Sequence, residues 1–225
     1  MSDIRVKGFD NISFWREEDI GLIVLRTTSK GEIGKKTIDE LIMALSTASI
    51  DPEVRSIAIT GQNEYFAVGM EGSFSVNSLA SLRGLASIVY SIEQPVFAII
   101  NGDAIDIGYE LALLCDVMIA SPNAKLGFRN KYSFSMAGSL SSLRYSHLEI
   151  SRANEGLNCD YVFPPSDLLG ESKEKIQTIS SVNLVLRRKS RLRFIKEAME
   201  EEHLEILSRM TESESSESKS KQIGV

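Results

Sequence analysis

Apolar residues follow two kinds of pattern between residues 10 and 130. Continuous apolar runs at Val96–Ile100 and Val117–Ala120 are short and bounded by turns, which is typical of strands buried on both faces. Apolar residues at helical spacing predict two amphipathic helices. The first begins near residue 37, and the second covers about residues 78–92. A nearly all-apolar segment at 108–115 predicts a buried helix between the two runs.

The first 26 residues predict a hairpin. Two β-rich runs, 11–15 and 20–26, flank a charged turn at 16–19. A further strand is expected at residues 57–60, followed by a glycine-containing loop at 61–72. After the hairpin, helices and strands alternate, and this order predicts an α/β protein with at least part of its sheet parallel.

The pattern weakens after Gly127. Residues 133–146 are rich in serine and glycine and suit either a loop or a poor helix. Residues 173–210 are helical in character, with apolar side chains near one face. The polar, low-complexity stretch that follows is expected to be disordered.

Composition narrows the class of protein. The 225 residues are 43% apolar, which allows one good core with a helical extension. No run approaches the roughly 20 apolar residues that span a bilayer, and the first residues have no signal-peptide core, so a cytoplasmic protein is expected. A net charge of −6 disfavours broad nucleic-acid binding. Cys115 and Cys159 have no partner motif for zinc or for a disulfide scaffold.

Glu110 is the strongest candidate for chemistry, because it lies near the start of the predicted buried helix. A lone buried acid is costly unless it is paired, hydrogen-bonded or used. A structural acid that caps its own helix and a catalytic acid/base are both compatible with this position. Asp106, four residues earlier, would either join Glu110 in a carboxylate pair or be a solvated turn residue.

Three segments resemble the enoyl-CoA hydratase/isomerase (crotonase) superfamily. Residues 66–71, FAVGME, are similar to the family's F-x-A-G-A-D loop. Residues 95–116 are similar to its P-V-x-A-x-x-N-G-x-A-x-G-G-G-x-E-L-A-L-x-C-D segment, with Glu110 at the glutamate. Residues 119–127 match its I-A-S-x-x-A-K-F-G. The order and spacing of the three segments agree with the family.

The resemblance implies a crotonase-like spiral of ββα units with a C-terminal helical region. It implies a core at residues 1–165, an oligomerisation region at 166–210 and a disordered tail at 211–225. Family members bind acyl-CoA thioesters, so the resemblance also implies a role in fatty acid metabolism. Family members assemble as trimers or dimers of trimers, and the resemblance implies the same for this chain. Coenzyme A would be part of the substrate, and no metal or further cofactor is expected.

By position, the resemblance makes Glu110 the catalytic acid/base, and the backbone N–H groups of Met70 and Ile107 the oxyanion hole. A helix start such as Ile107 favours negative charge, because its N–H groups lack internal partners. The remaining substrate-binding residues that the resemblance implies are Ala67, Val68, Gly69, Gly108 and Asn130.

The chain departs from the family at three residue positions, 106, 107 and 130. Asn130 occupies the position of the second glutamate, and asparagine does not exchange protons at neutral pH. Asp106 and Ile107 replace two glycines, and the branched Ile107 side chain is bulky for a site that holds a thioester. These changes keep open a second reading, in which the protein is a non-catalytic acyl-CoA-binding or structural paralogue.

The other candidate side chains have plainer interpretations. His147 and His203 lack partner motifs, and we expect no catalytic role for them. Tyr109 and Tyr132 suit packing better than catalysis. Glu71 suits an exposed loop. The basic residues between 187 and 196 and the acids that follow suit an exposed, charge-laced helix better than a CoA phosphate site.

Overall fold

The computed structural model describes residues 4–6, 8–72, 75–129, 135–136, 149–155, 158–179 and 200–208. The predictions for Asn130, Tyr132, His147, the basic run and the tail at 211–225 lie outside the described residues, as does most of the 133–146 stretch. The strands are β1 (Ile4–Val6), β2 (Ile12–Glu17), β3 (Ile20–Leu25), β4 (Ser56–Gly61), β5 (Tyr65–Ala67), β6 (Val96–Ile100), β7 (Asp103–Ile105), β8 (Val117–Ala120), β9 (Lys125–Gly127), β10 (Ser151–Arg152) and β11 (Tyr161–Val162). The helices are α1 (Lys35–Ile50), α2 (Val76–Ser91), α3 (Ile107–Leu114), α4 (Leu168–Thr178) and α5 (200–208).

The described strands form two sheets. The larger sheet has the order β1-β2-β3-β4-β6-β8-β11, and its strands β3, β4, β6 and β8 are parallel to one another. Its central strands read as continuous apolar runs because side chains are buried on both faces. The predicted hairpin is confirmed as the antiparallel pair β2–β3.

Helices cover both faces of the larger sheet. The side chains on one face pack with those of α1, α2 and α3 in the main core, which also includes Phe66 and Leu126 of the smaller sheet. The other face packs against Leu168 and Ile176 of α4. The alternation of Ile57, Ala58 and Ile59 between these two clusters follows the two-residue period of a strand.

The smaller sheet was not predicted from the sequence. It has the order β10-β9-β7-β5, and residues 65–67 and 103–105 fall in stretches where the pattern predicts a loop and a turn. Strands of three residues are too short for a two-residue alternation to show. These short segments form strands because their backbone groups make hydrogen bonds with the strands beside them.

The described residues of the predicted C-terminal helical region form two helices, α4 and α5. α4 ends at Thr178, and Ile179 has extended backbone angles, φ −77° and ψ 125°. Residues 200–208 are helical again.

None of the helices in the described ranges is long and apolar enough to cross a membrane.

A buried glutamate on α1 anchors the start of β2. Glu40 accepts hydrogen bonds from the backbone N–H groups of Asp10 (3.3 Å) and Asn11 (2.7 Å) and from Asn11 Nδ2 (3.0 Å). Three donors satisfy a carboxylate that burial would otherwise penalise. Glu40 therefore joins α1 to the start of β2.

Candidate active site

Three parallel strands of the smaller sheet end at the same edge. Ala67 of β5 pairs with Ala104 of β7, and Ile105 pairs with Gly127 of β9. The segments that follow these strands, 68–70, 106–107 and 128–129, therefore lie next to one another. Ligands of α/β proteins commonly bind beyond the carboxyl ends of parallel strands. This edge holds both amides that the sequence nominates.

The Met70 amide faces away from its neighbouring segment. Ile33 N–H donates to the Gly69 carbonyl (3.1 Å), and Glu71 N–H donates to the Ile33 carbonyl (2.9 Å). In an extended backbone the N–H between these two groups points to the opposite side, so the Met70 amide is directed away from Ile33. No hydrogen bond from it to another described residue is found.

The Ile107 amide lies at the start of α3. The first hydrogen bond of this helix runs from Glu110 N–H to the Asp106 carbonyl (2.8 Å), so the Ile107 N–H has no acceptor within the helix. The Ile107 side chain is buried in the main core. Within the part of the chain that the structure describes, both amides are donors without an observed acceptor.

Gly108 brings α3 against the end of β5. A Cβ atom built at Gly108 would lie 2.0 Å from the Ala67 carbonyl oxygen, which is far inside van der Waals contact. Only glycine allows the helix to approach the strand this closely. The close approach sets how near the helix start comes to the segment that carries Met70.

Glu110 is completely enclosed by protein, with 0% of its surface exposed. Its Oε1 accepts hydrogen bonds from the backbone N–H groups of Ser135 (2.6 Å) and Met136 (2.6 Å), and its Oε2 accepts one from Ser135 Oγ (2.7 Å). The carboxyl group is therefore held in one orientation from two directions. This geometry is compatible with a structural acid and with a preorganised acid/base.

Burial, and after it the neighbouring charge of Glu202, raises the pKa of Glu110 from 4.5 to about 7, against the lowering effect of the Met136 and Ser135 hydrogen bonds. Glu202 lies on α5 and is only 7% exposed. A carboxyl group with a pKa near neutrality exchanges protons readily in both directions at physiological pH. Strongly shifted values of this kind are concentrated at functional sites.

The raised pKa of Glu110 predicts a specific dependence of stability on pH. The folded carboxyl group binds its proton more tightly than the unfolded one, so folding is favoured below pH 4.5 and this advantage is lost as the pH rises towards 7. This shift in the pKa of Glu110 corresponds to about 3 kcal/mol in the free energy of unfolding. Urea unfolding between pH 5 and 8 should show wild-type stability falling relative to Glu110→Gln, which carries no titrating proton at this position. Parallel stability profiles for the two proteins would contradict the shift.

The carboxylate of Asp106 is bound to Arg129. Its Oδ1 accepts a hydrogen bond from the Arg129 N–H (2.8 Å), and its Oδ2 lies 3.1 Å from Arg129 Nη1. Asp106 lies in a turn, as one of the two interpretations predicts, and its side chain is 21% exposed and ion-paired. The observed partner of its carboxylate is this arginine, and the carboxylate that influences Glu110 is Glu202.

Sequence reasoning missed four residues that surround the candidate site. Ser135 lies in a stretch that suits a loop or a poor helix. Glu202 belongs to a run of acids that suits an exposed helix, yet it is buried whereas its neighbours Glu201 and Leu204 are exposed. Arg129 and Met136 lie outside the three segments that resemble the family. Among the described residues, no three His, Cys, Asp or Glu side chains are grouped as metal ligands.

Solved structures share this fold. An enoyl-CoA hydratase from Mycobacterium avium subsp. paratuberculosis superimposes with a TM-score of 0.76 at 18% identity, over 88% of this chain and 92% of the other. A monofunctional enoyl-CoA isomerase from M. smegmatis superimposes with a TM-score of 0.66 at 24% identity, over 86% of this chain and 98% of the other. At these identities the likeness establishes the crotonase-like fold alone.

The family is established by sequence. The family model described as enoyl-CoA hydratase/isomerase matches residues 16–145, more than half of the chain, and the chain belongs to this family. A crotonyl-CoA hydratase from Syntrophomonas wolfei subsp. wolfei is 31% identical over 129 residues, covering 53% of this chain and 50% of that protein. A 2,3-dehydroadipyl-CoA hydratase from Escherichia coli is 29% identical over 119 residues, covering 50% and 47%. The matched part of this chain thus spans about half the length of these relatives.

Proposed function

We propose that this protein is an enzyme that acts on an acyl-CoA thioester, by enoyl-CoA hydration or by enoyl-CoA double-bond isomerisation. The observation that carries the proposal is the arrangement at one edge of the smaller sheet. Two backbone amides, Met70 and Ile107, lie on adjacent segments there without an observed protein acceptor in the described part of the chain. The helix that begins with one of them carries Glu110, whose pKa is raised to about 7.

In this proposal the two amides bind the thioester oxygen. Both reactions pass through an enolate-like state, in which negative charge develops on that oxygen. Preorganised donors directed at developing charge are commonly the largest catalytic contribution. The Ile107 amide is suited to this task because the start of α3 adds the favourable end of the helix dipole. Ala67, Val68, Gly69 and Gly108 would form the walls around this oxygen, and Asn130 is a further proposed contact.

Glu110 would transfer the proton. In isomerisation, its carboxylate removes a proton from C2 of a 3-enoyl thioester, and the resulting acid returns a proton to C4. In hydration, it accepts a proton from water as the hydroxyl group adds to C3 of a 2-enoyl thioester, and the resulting acid delivers that proton to C2. The raised pKa of Glu110 supports either direction of transfer, since the acid and the base are both populated near pH 7.

The proposal extends to the setting of the protein. Coenzyme A is part of the proposed substrate, and the chemistry requires no metal or redox cofactor. Assembly into trimers or dimers of trimers, a cytoplasmic location and a place in fatty acid metabolism follow from the family resemblance and belong to the same proposal.

A second candidate function is a non-catalytic acyl-CoA-binding or structural paralogue. The enclosure of Glu110, with 0% exposure and three protein hydrogen bonds, favours it, because such a carboxyl group also suits a purely structural role. Asn130 at the position of the second family glutamate favours it as well.

Calorimetry and turnover together separate the candidates. Titration with crotonyl-CoA and with free CoA measures binding, and absorbance measures turnover of a short 2-enoyl-CoA and a short 3-enoyl-CoA. The proposed enzyme binds the thioester and converts one of the two substrates. Thioester binding without turnover of either substrate would support the non-catalytic binding protein. Absence of binding at millimolar concentration would support a structural paralogue.

A further inference from the structure

The guanidinium group of Arg129 contacts both chain segments that carry the two amides. Its Nη2 donates a hydrogen bond to the Val68 carbonyl (3.3 Å), two residues before Met70. Its Nη1 lies 3.1 Å from Asp106 Oδ2, one residue before Ile107. One planar cation therefore spans the gap between the two segments.

The same arginine is also fixed at its backbone. Its N–H donates to Asp106 Oδ1 (2.8 Å), and the Asp106 N–H donates to the Gly127 carbonyl (3.0 Å). The Asp106 carboxylate thus holds Arg129 at two points, at the main chain and at the guanidinium group. Gly69 lies beneath the guanidinium group, since a Cβ atom built there would be 3.8 Å from Nη1.

Asp106 needs this support because of its backbone conformation. Its φ of +53° and ψ of −114° lie in a region that glycine adopts freely and other residues adopt with strain. Strained conformations persist where surrounding contacts determine them. The bonds to Arg129 supply such contacts, and the conformation of Asp106 sets the direction of the peptide group that contains the Ile107 N–H.

We propose that Arg129 is a positioning residue that ties residues 68–70 to residues 106–107 and so sets the spacing of the Met70 and Ile107 amides. The inference rests on the proposed function, because this spacing matters for catalysis only if the amides bind a thioester oxygen. Arg129 acts through the two segments, and its planar fork is essential because it reaches a carbonyl and a carboxylate at once.

Four variants test the tie: Arg129→Gln, Arg129→Lys, Asp106→Asn and the double variant Asp106→Asn/Arg129→Gln. Arg152→Gln is the matched control, since the Arg152 side chain is also 53% exposed and also ion-paired, with Glu155 at 3.7 Å. Misplaced donors should lower kcat about 10- to 100-fold in Arg129→Gln. The double variant should be no slower than the slower single variant, because the two residues act as one unit. Arg129→Lys should recover little activity, and Arg152→Gln should retain full activity.

A spectroscopic measurement separates positioning from general loss of structure. The infrared stretch of a crotonyl-CoA labelled with 13C at its thioester carbonyl moves to lower frequency when two donors bind its oxygen. We expect a smaller shift in Arg129→Gln than in the wild type and the control, at saturating ligand. A full wild-type shift in Arg129→Gln would overturn the proposal.

Hydrogen exchange in the free protein tests the tie independently of any substrate. Arg129→Gln should speed amide exchange in peptides covering 68–71 and 106–108, whereas Arg152→Gln should leave them unchanged. Unchanged exchange in Arg129→Gln would overturn the proposal. A wild type that binds no thioester would instead defeat the proposed function, and the exchange measurement would still decide whether Arg129 ties the two segments.

Discussion

Replacing Gly108 with alanine is expected to destabilise the fold and to disrupt the candidate site together. The added Cβ would lie 2.0 Å from the Ala67 carbonyl oxygen and 2.6 Å from the carbonyl carbon. Backbone atoms of a buried strand cannot yield as a flexible side chain can, so α3 must move away from β5. We expect the free energy of unfolding to fall by about 3 kcal/mol or more, the upper range for overpacking a core.

Gly84→Ala is the matched control for this experiment. Gly84 is also a helical glycine, in α2, but a Cβ built there would meet only Ile42 Cδ1, at 3.4 Å. Alanine in a helix interior is favoured over glycine by roughly 0.5–1 kcal/mol, so this variant should be slightly more stable than the wild type. Urea unfolding midpoints measure both effects. A Gly108→Ala protein with the wild-type midpoint would show that α3 does not depend on the close approach.

Replacing Glu110 with glutamine is expected to lower kcat by about 10²- to 10⁴-fold, the usual contribution of a positioned acid/base. Glutamine has nearly the shape of glutamate, and its Oε1 can accept the Ser135 and Met136 N–H bonds that Glu110 Oε1 accepts. Its amide N–H can donate to Ser135 Oγ. The variant should therefore fold and bind the thioester while it fails to transfer the proton.

Glu40→Gln is the control for Glu110→Gln, because Glu40 is another helical glutamate that is buried and bonded to backbone N–H groups, at a distance from the candidate site in sequence. It should retain the wild-type kcat. Initial rates with the substrate that the wild type converts, together with calorimetric affinities, separate catalysis from binding. Equal kcat values for the wild type and Glu110→Gln would remove Glu110 from the mechanism.

Apolar patterns that extend over many residues predicted the central strands of the larger sheet and the helices α1, α2 and α3. Runs such as Val96–Ile100 and the helical spacing in α1 and α2 extend over enough residues for burial to leave a clear signature. The three-residue strands β5 and β7 leave none, because their identity depends on neighbours that are distant in sequence. The predicted α3 is shifted by one residue from the observed Ile107–Leu114, which is within the usual fraying of helix ends.

Of the candidate site, the residue pattern alone predicted Glu110, as a lone acid in a buried helix, and the family motif supplied the other positions. The motif nominated Glu110, Met70 and Ile107, and the structure places the segments of the two amides side by side. The contacts that orient these groups came from residues with no local signal. Arg129 acquires its role only when β7 and β9 pair, and Glu202 approaches Glu110 from almost a hundred residues away along the chain.

The enclosure of Glu110 also has a consequence for synthesis on the ribosome. The helix that bears this carboxyl group is made well before Ser135, Met136 and Glu202 leave the exit tunnel. Until those residues arrive, the carboxyl group lacks the hydrogen bonds and the neighbouring charge that determine its proton affinity in the finished protein. A nascent chain that stops short of residue 135 therefore lacks the groups that orient this carboxyl group and shift its proton affinity.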